Sequence, residues 1–207
     1  MENPLYPNGK TLTEAERTRL LRDLIDQGKN VDYQDDDGYT LLHYVAISGN
    51  SECVQLLVDE GCDIHAKANN GRTVLHSAAL GGNMECIQPL IDLGCDIHAK
   101  NHEGWTVLHM AAFGRNIECM QLLIDLGCDI HARDNDGWTL HHVATLLGND
   151  ECIQMLYDLG VDGTIRNTDG QTAYDIAKEY HYSTAQLLHT LATNNENRQL
   201  NPIVPSG

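Results

Sequence analysis

From about residue 40 onward the apolar positions of the chain fall into two alternating short patterns. In the first, Leu42, Leu75 and Leu108 are each followed four positions later by Ala46, Ala79 and Ala112, which is the spacing of one helix face. In the second, Leu57, Leu90, Leu123 and Leu156 mark a further helical stretch. The first helix is predicted at roughly eight residues and the second at roughly ten, and both are too short to persist alone. Stacking against neighbours must therefore supply their stability. Gly28, Gly61, Gly94, Gly127 and Gly160 follow the second pattern, where a left-handed residue ends a helix without a Cβ penalty. Asp37-Gly38, Asn70-Gly71, Asp136-Gly137 and Asp169-Gly170 are turn dipeptides. The predicted unit is helix, turn, helix, hairpin finger.

That unit recurs every 33 residues without a slip in register, as Gly38, Gly71, Gly104, Gly137 and Gly170 show. The segments read GYTLLHYVAISGNSECVQLLVDEGCDIHAK, GRTVLHSAALGGNMECIQPLIDLGCDIHAK, GWTVLHMAAFGRNIECMQLLIDLGCDIHAR and GWTLHHVATLLGNDECIQMLYDLGVDGTIR. A 33-residue period carrying Thr-x-Leu-His-x-Ala is the ankyrin signature, and the chain resembles the ankyrin-repeat family over about residues 12–192. The resemblance implies an α-class solenoid of stacked helix-turn-helix units with β-hairpin finger loops. It also implies a non-catalytic protein-protein interaction module, an adaptor, scaffold or inhibitor. The expected layout is a flexible N-terminus over 1–11, a cap over 12–34, repeats over 35–67, 68–100, 101–133 and 134–166, a C-terminal repeat over 167–192, and a disordered tail over 193–207.

Local chemistry agrees with the pattern. Thr40, Thr73, Thr106 and Thr139 stand where a hydroxyl can accept from free N–H groups of the first helix. His43, His76, His109 and His142 follow three positions later, in the manner of a capping box. Departures are equally specific. Leu41, Val74, Val107 and Leu140 replace the proline usual in the family, which loosens the helix starts. Pro89 falls inside a second helix, where a kink is expected. Arg115 replaces a helix-ending glycine, His141 replaces a core leucine, and the fourth repeat ends VDGTI in place of CDIHA. Glu52, Glu85, Glu118 and Glu151 suit the positive end of the second helices, whereas Asp59, Asp92, Asp125 and Asp158 sit at the unfavourable end.

Composition narrows the function. The 207 residues are 42% apolar and 21% charged, enough for a real core. With 13 Lys and Arg against 30 Asp and Glu, the formal charge is −17, so nucleic acid and anionic membrane are excluded as expected partners. No apolar run approaches the roughly 20 residues of a membrane span, and MENPLYPNGK lacks the regions of a signal peptide. A cytoplasmic or nuclear location is expected, with secretion into a host cell left open.

The seven cysteines form two series with the same step, Cys53, Cys86, Cys119, Cys152 and Cys62, Cys95, Cys128. They read as reduced, buried fillers of a repeat instead of a disulfide framework. Cys-Asp-Ile-His invites zinc, but equivalent residues of stacked helices stand roughly 8 to 10 Å apart and cannot converge on one tetrahedral ion. No metal, cofactor or catalytic residue is expected, since no phosphate loop or H-E-x-x-H occurs and the Cys and His residues are periodic.

In the ankyrin family the residue after the hairpin glycine and those ending the first helix line a concave groove. Carried onto this sequence, the resemblance selects Tyr39, Arg72, Trp105 and Trp138, with Leu80, Phe113, Leu146, Leu147 and Tyr180, as partner-binding residues. Both tryptophans and the only phenylalanine fall in this set, and such side chains dominate interface energies. Asp35, Asp36, Asp37, Glu103, Asp134, Asp136 and Asp169 rim it, so the expected partner of a monomeric chain is a protein with a basic segment carrying apolar anchors. An alternative is a structural repeat module that is the substrate of a 2-oxoglutarate-dependent asparaginyl or histidinyl hydroxylase. His65, His98 and His131 occupy the family's asparagine position, each with a leucine eight residues earlier.

Overall fold

A computed structural model describes residues 13–180 and 182–200. The predicted unit is present throughout, and the chain divides into two compact units, Met1–Asp129 and Ile130–Gly207. In the first, α1 (Glu14–Asp26) precedes three helix pairs: α2 (Leu41–Ser48) with α3 (Ser51–Asp59), α4 (Val74–Gly81) with α5 (Met84–Asp92), and α6 (Val107–Phe113) with α7 (Ile117–Asp125). First helices stack on first helices, α2 on α4 and α4 on α6, while α1 packs on α3 and α3 on α5. The second unit holds α8 (Leu140–Leu146) with α9 (Asp150–Asp158) and α10 (Ala173–Tyr180) with α11 (Tyr182–Leu200); α8 packs on α10 and α9 on α11. Residues 193 to 200, which the sequence assigns to a disordered tail, lie within α11, whereas 1–11 and 201–207 fall outside the described residues.

The leucine and alanine ladders form the core. Leu42, Leu57, Leu75, Leu90, Leu108 and Leu123 are buried, as are Ala46, Ala79 and Ala112. Each buried leucine contributes about 1.5–3 kcal/mol relative to exposure. Between helix pairs the chain turns out into a finger, closed by an isolated antiparallel bridge at Gln34–Thr40, Lys67–Thr73 and Lys100–Thr106. Neighbouring fingers are joined by backbone bonds, Asn69 N–H to the Asp37 carbonyl at 2.8 Å and His102 N–H to that of Asn70 at 2.9 Å.

Two polar ladders tie the repeats together. In the first, the Thr backbone N–H donates to His Nδ1: Thr40 to His43 and Thr73 to His76 at 3.2 Å, Thr106 to His109 at 3.3 Å, Thr139 to His142 at 3.2 Å. An Nδ1 that accepts leaves the hydrogen on Nε2. That hydrogen reaches the next finger: His43 Nε2 donates to the Arg72 carbonyl at 3.2 Å, His76 to that of Trp105 at 3.1 Å and His142 to that of Gln171 at 3.0 Å.

The second ladder is asparagine. Asn50 and Asn149 cap the second helices by accepting from the Cys53 and Cys152 N–H groups at 2.9 and 3.2 Å. Asn83 and Asn116 stand at the same position before α5 and α7, and their amides reach back to the preceding repeat. Asn83 donates to the Ala46 and Ile47 carbonyls at 2.8 Å and Asn116 to that of Leu80 at 3.0 Å. The late aspartates have partners as well. Gln55, Gln88, Gln121 and Gln154 donate to Asp59, Asp92, Asp125 and Asp158 at 2.7, 2.7, 2.8 and 3.1 Å, offsetting their unfavourable position.

The irregular residues resolve one by one. Helix α5 keeps the nine-residue length of α3, α7 and α9 across Pro89, which is exposed. Arg115 has φ 61°, where the equivalent Gly49, Gly82 and Gly148 have 78°, 72° and 60°. His141, Tyr157 and Gly163 are one event. His141 is fully buried in the leucine slot and meets the Tyr157 ring edge-on at 4.9 Å. Tyr157 replaces smaller aliphatic residues and fills the room that Ile64 and Ile97 take in other repeats. A Cβ at Gly163 would lie 2.6 Å from the Tyr157 hydroxyl.

Two outcomes follow from this packing. A left-handed Arg costs about 1–2 kcal/mol that glycine does not incur, so Arg115→Gly raises stability by about 1 kcal/mol in urea unfolding despite the added freedom of the unfolded chain. Acid acts through the buried imidazoles. Burial holds His43 and His142 below the ordinary value of 6.5 and takes His76 and His141 to about 4. The unfolded chain thus binds protons first, and the stability these groups lend is complete above pH 6.5 and declines as pH falls toward 4. Asp162 and Asp175 are held below their ordinary value by bonds from Thr164 and Thr172, so their loss comes only at lower pH. Thermal melts should show a midpoint dropping between pH 6.5 and 4, with a smaller drop in His141→Leu.

Candidate partner-binding surface

The residue after each hairpin glycine is held at both ends of its backbone. At every such position but Arg72 its N–H donates to a turn residue four positions earlier: Tyr39 to Asp35 Oδ1 at 2.9 Å, Trp105 to Asn101 Oδ1 and Trp138 to Asp134 Oδ1 at 2.8 Å, Gln171 to Asn167 Oδ1 at 2.9 Å. The same oxygens accept the N–H two residues on, from Asp37, Glu103 and Asp136 at 3.0 Å and Asp169 at 3.1 Å. For Arg72, Trp105 and Gln171 the carbonyl is the acceptor of the histidine ladder. The side chain is therefore projected from a fixed base.

In the first unit Tyr39, Arg72 and Trp105 occupy these bases and are all half-buried. Tyr39 packs edge-on against His43 at 5.4 Å, and its hydroxyl accepts from Asn70 Nδ2 at 3.0 Å. Trp105 lies 6.0 Å from the His109 ring and meets Phe113 edge-on at 5.5 Å. Thus the half-buried indole rests on the helix cap. Phe113 is 41% exposed and Ile47 36%, with Leu80 half-buried between them in the repeat order. In the second unit Trp138 is half-buried against His142 at 5.6 Å, Leu146 is 41% exposed, Leu147 half-buried and Tyr180 60% exposed.

The acidic rim splits into two kinds. Asp35 and Asp134 are half-buried turn acceptors. Burial works against the charge of Asp35, yet the Tyr44 hydroxyl and the Tyr39 and Asp37 N–H groups together hold its carboxyl below the ordinary range. Asp36, Asp37, Glu103, Asp136 and Asp169 are exposed at the finger tips.

All seven cysteines are buried free thiols. Burial pushes Cys86, Cys95 and Cys128 up to about 11 and Cys62, Cys119 and Cys152 up to about 12, so they stay protonated and poorly nucleophilic at neutral pH. Among the described residues no group of three or more His, Cys, Asp or Glu side chains could hold a metal ion, and no helix is long and apolar enough to cross a membrane. His65, His98 and His131 are exposed. The loops at the first two are closed by Asp63 and Asp96, whose Oδ1 atoms accept the His65 and His98 N–H at 2.9 Å.

The family model described as ankyrin repeats (3 copies) matches residues 13–101, 82–167 and 108–199. The chain belongs to the ankyrin-repeat family. Its fold is the all-α repeat solenoid of that family, whose members are generally protein-protein interaction modules. Comparison with curated proteins finds no match. The ankyrin framework also accounts for what the sequence reading passed over. Asn50, Asn83, Asn116 and Asn149 recur with the repeat and were readable as helix caps, and each Gln-x-x-x-Asp pair has helical spacing. The link between His141, Tyr157 and Gly163 carries no comparable one-dimensional signal.

Proposed function

We propose that this ankyrin-repeat chain is a non-catalytic adaptor, scaffold or inhibitor that holds a segment of a partner protein against its finger bases and first-helix ends. The observation that carries the reading is the exposure of Phe113, with Trp105 packed edge-on against it. Large apolar side chains left in water are a liability for a chain acting alone, and Trp, Tyr and Arg supply most binding energy at interfaces. Trp138 with Leu146, Leu147 and Tyr180 offers a second such set on the other unit. The exposed carboxylates of the finger tips favour basic residues on the partner and raise its encounter rate. Protonated, buried thiols suit a reducing compartment, cytoplasm or nucleus. The exposed His65, His98 and His131 support a subsidiary reading as hydroxylation sites.

The test is quantitative pull-down from the native source with the double variant Trp105→Ala/Trp138→Ala. Recovery of the partner should fall about tenfold or more while circular dichroism remains that of the starting protein. Unchanged recovery by a folded double variant removes the proposal.

A further inference from the structure

The second finger departs from the others at two places, and both act on one side chain. Where Tyr39, Trp105 and Trp138 stand elsewhere it carries Arg72, and where Asp35, Asn101, Asp134 and Asn167 stand it carries Ala68. Its turn is closed from another atom, Asn70 Oδ1, which accepts the Arg72 N–H at 3.0 Å. An Asp at 68 would bond that N–H as Asp35 bonds Tyr39, placing a carboxylate beside the guanidinium. Ala68 leaves the space uncharged. No acidic residue occurs from Ala66 to Thr73, whereas Asp36 and Asp37 tip the finger before and Glu103 the finger after.

The guanidinium is consequently without a counter-ion. Arg72 Nε is buried and makes no hydrogen bond, and the ion pairs of Arg22 with Glu52 and Arg166 with Asp175 do not involve Arg72. A planar guanidinium is shaped to take a carboxylate through two parallel bonds. The backbone that carries it is fixed, with its N–H on Asn70 and its carbonyl on His43.

We propose that Arg72 is the receptor for a side-chain carboxylate, Asp or Glu, on an extended partner segment whose adjoining apolar residues lie against Trp105 and Phe113. This rests on the groove reading above and adds the recognition chemistry to it. The acidic tips on both sides make the layout negative, positive, negative. With a net charge of −17 repelling a wholly acidic peptide, the fitting segment carries its acid between Lys or Arg residues.

Selection of random displayed peptides on the full chain tests this. Selected sequences should share an Asp or Glu at a fixed offset from an aromatic or aliphatic anchor. Resynthesised with an amidated C-terminus, such a peptide should lose about tenfold in affinity when its acid becomes the amide, and less than about twofold toward Arg72→Gln. Ala68→Asp keeps Arg72 and introduces the residue type that Asp35 and Asp134 supply in the first and fourth fingers, so it should fold and still bind the acidic peptide more weakly. Selection on Arg72→Glu should replace the acid with Lys or Arg. An absent acid, an equal loss in protein and variant, or dependence on a free peptide C-terminus overturns the carboxylate site. Peptides that depend on Trp105 and Phe113 but not on Arg72 sink this inference alone. Peptides indifferent to Trp105 and Phe113, or no selected peptides, sink the groove reading with it.

Discussion

A helix of seven or eight residues makes too few internal hydrogen bonds to hold its own shape, and every first helix of this chain has that length. What starts four of them is a neutral imidazole, and in three of the four it is used twice. Its Nδ1 takes an N–H at the helix start, which fixes the hydrogen on Nε2. In His43, His76 and His142 that hydrogen then binds the next finger's backbone. One side chain thus starts a helix and sets the position of the following repeat. Protonation would place a hydrogen on Nδ1, remove the acceptor at the helix start and put a charge in the core, while the Nε2 donor to the next finger would remain.

The same bond reaches the proposed binding surface. The acceptors are the carbonyls of Arg72, Trp105 and Gln171, residues whose side chains leave the framework immediately after the finger turn. With the N–H of each bound to a turn side chain as well, backbone freedom at these positions has been surrendered during folding. For the proposed partner the side chains spring from a backbone already ordered, which lowers the entropy lost on binding. Framework and proposed surface are joined by covalent adjacency: the finger-base residue and the inter-repeat acceptor are one residue.

How much of this could be read from the chain depends on whether a feature is periodic. The leucines, the Thr-His pairs and the end-of-helix glycines recur every 33 residues, so each instance supports the others, and Arg115 was visible because it interrupts such a series. The Asn ladder was periodic too, yet asparagine before a helix reads equally as loop, and only its bonds to Ala46, Ile47 and Leu80 reveal it as a staple. His141, Tyr157 and Gly163 were visible only as separate oddities. Their cause is a ring that needs space taken from a residue six positions later, which no linear pattern encodes. The finger carboxylates look alike in sequence, but Asp35 and Asp134 are turn acceptors while Asp36, Asp37 and Asp136 face water.

The departures also differ in kind. Arg115 costs stability at its own position, and the Tyr157 group repacks a local core with all its members inside. Arg72 with Ala68 does neither. The turn is rebuilt from Asn70 at the same 3.0 Å seen from Asp35 to Asp37, so the finger is no worse closed than its neighbours. The net effect of the paired change lies in the side chain presented: a guanidinium without a counter-ion stands where the flanking fingers carry Tyr39 and Trp105. A framework that repeats its solution elsewhere gains no packing from that exchange. On the proposed reading its consequence lies in recognition of the partner.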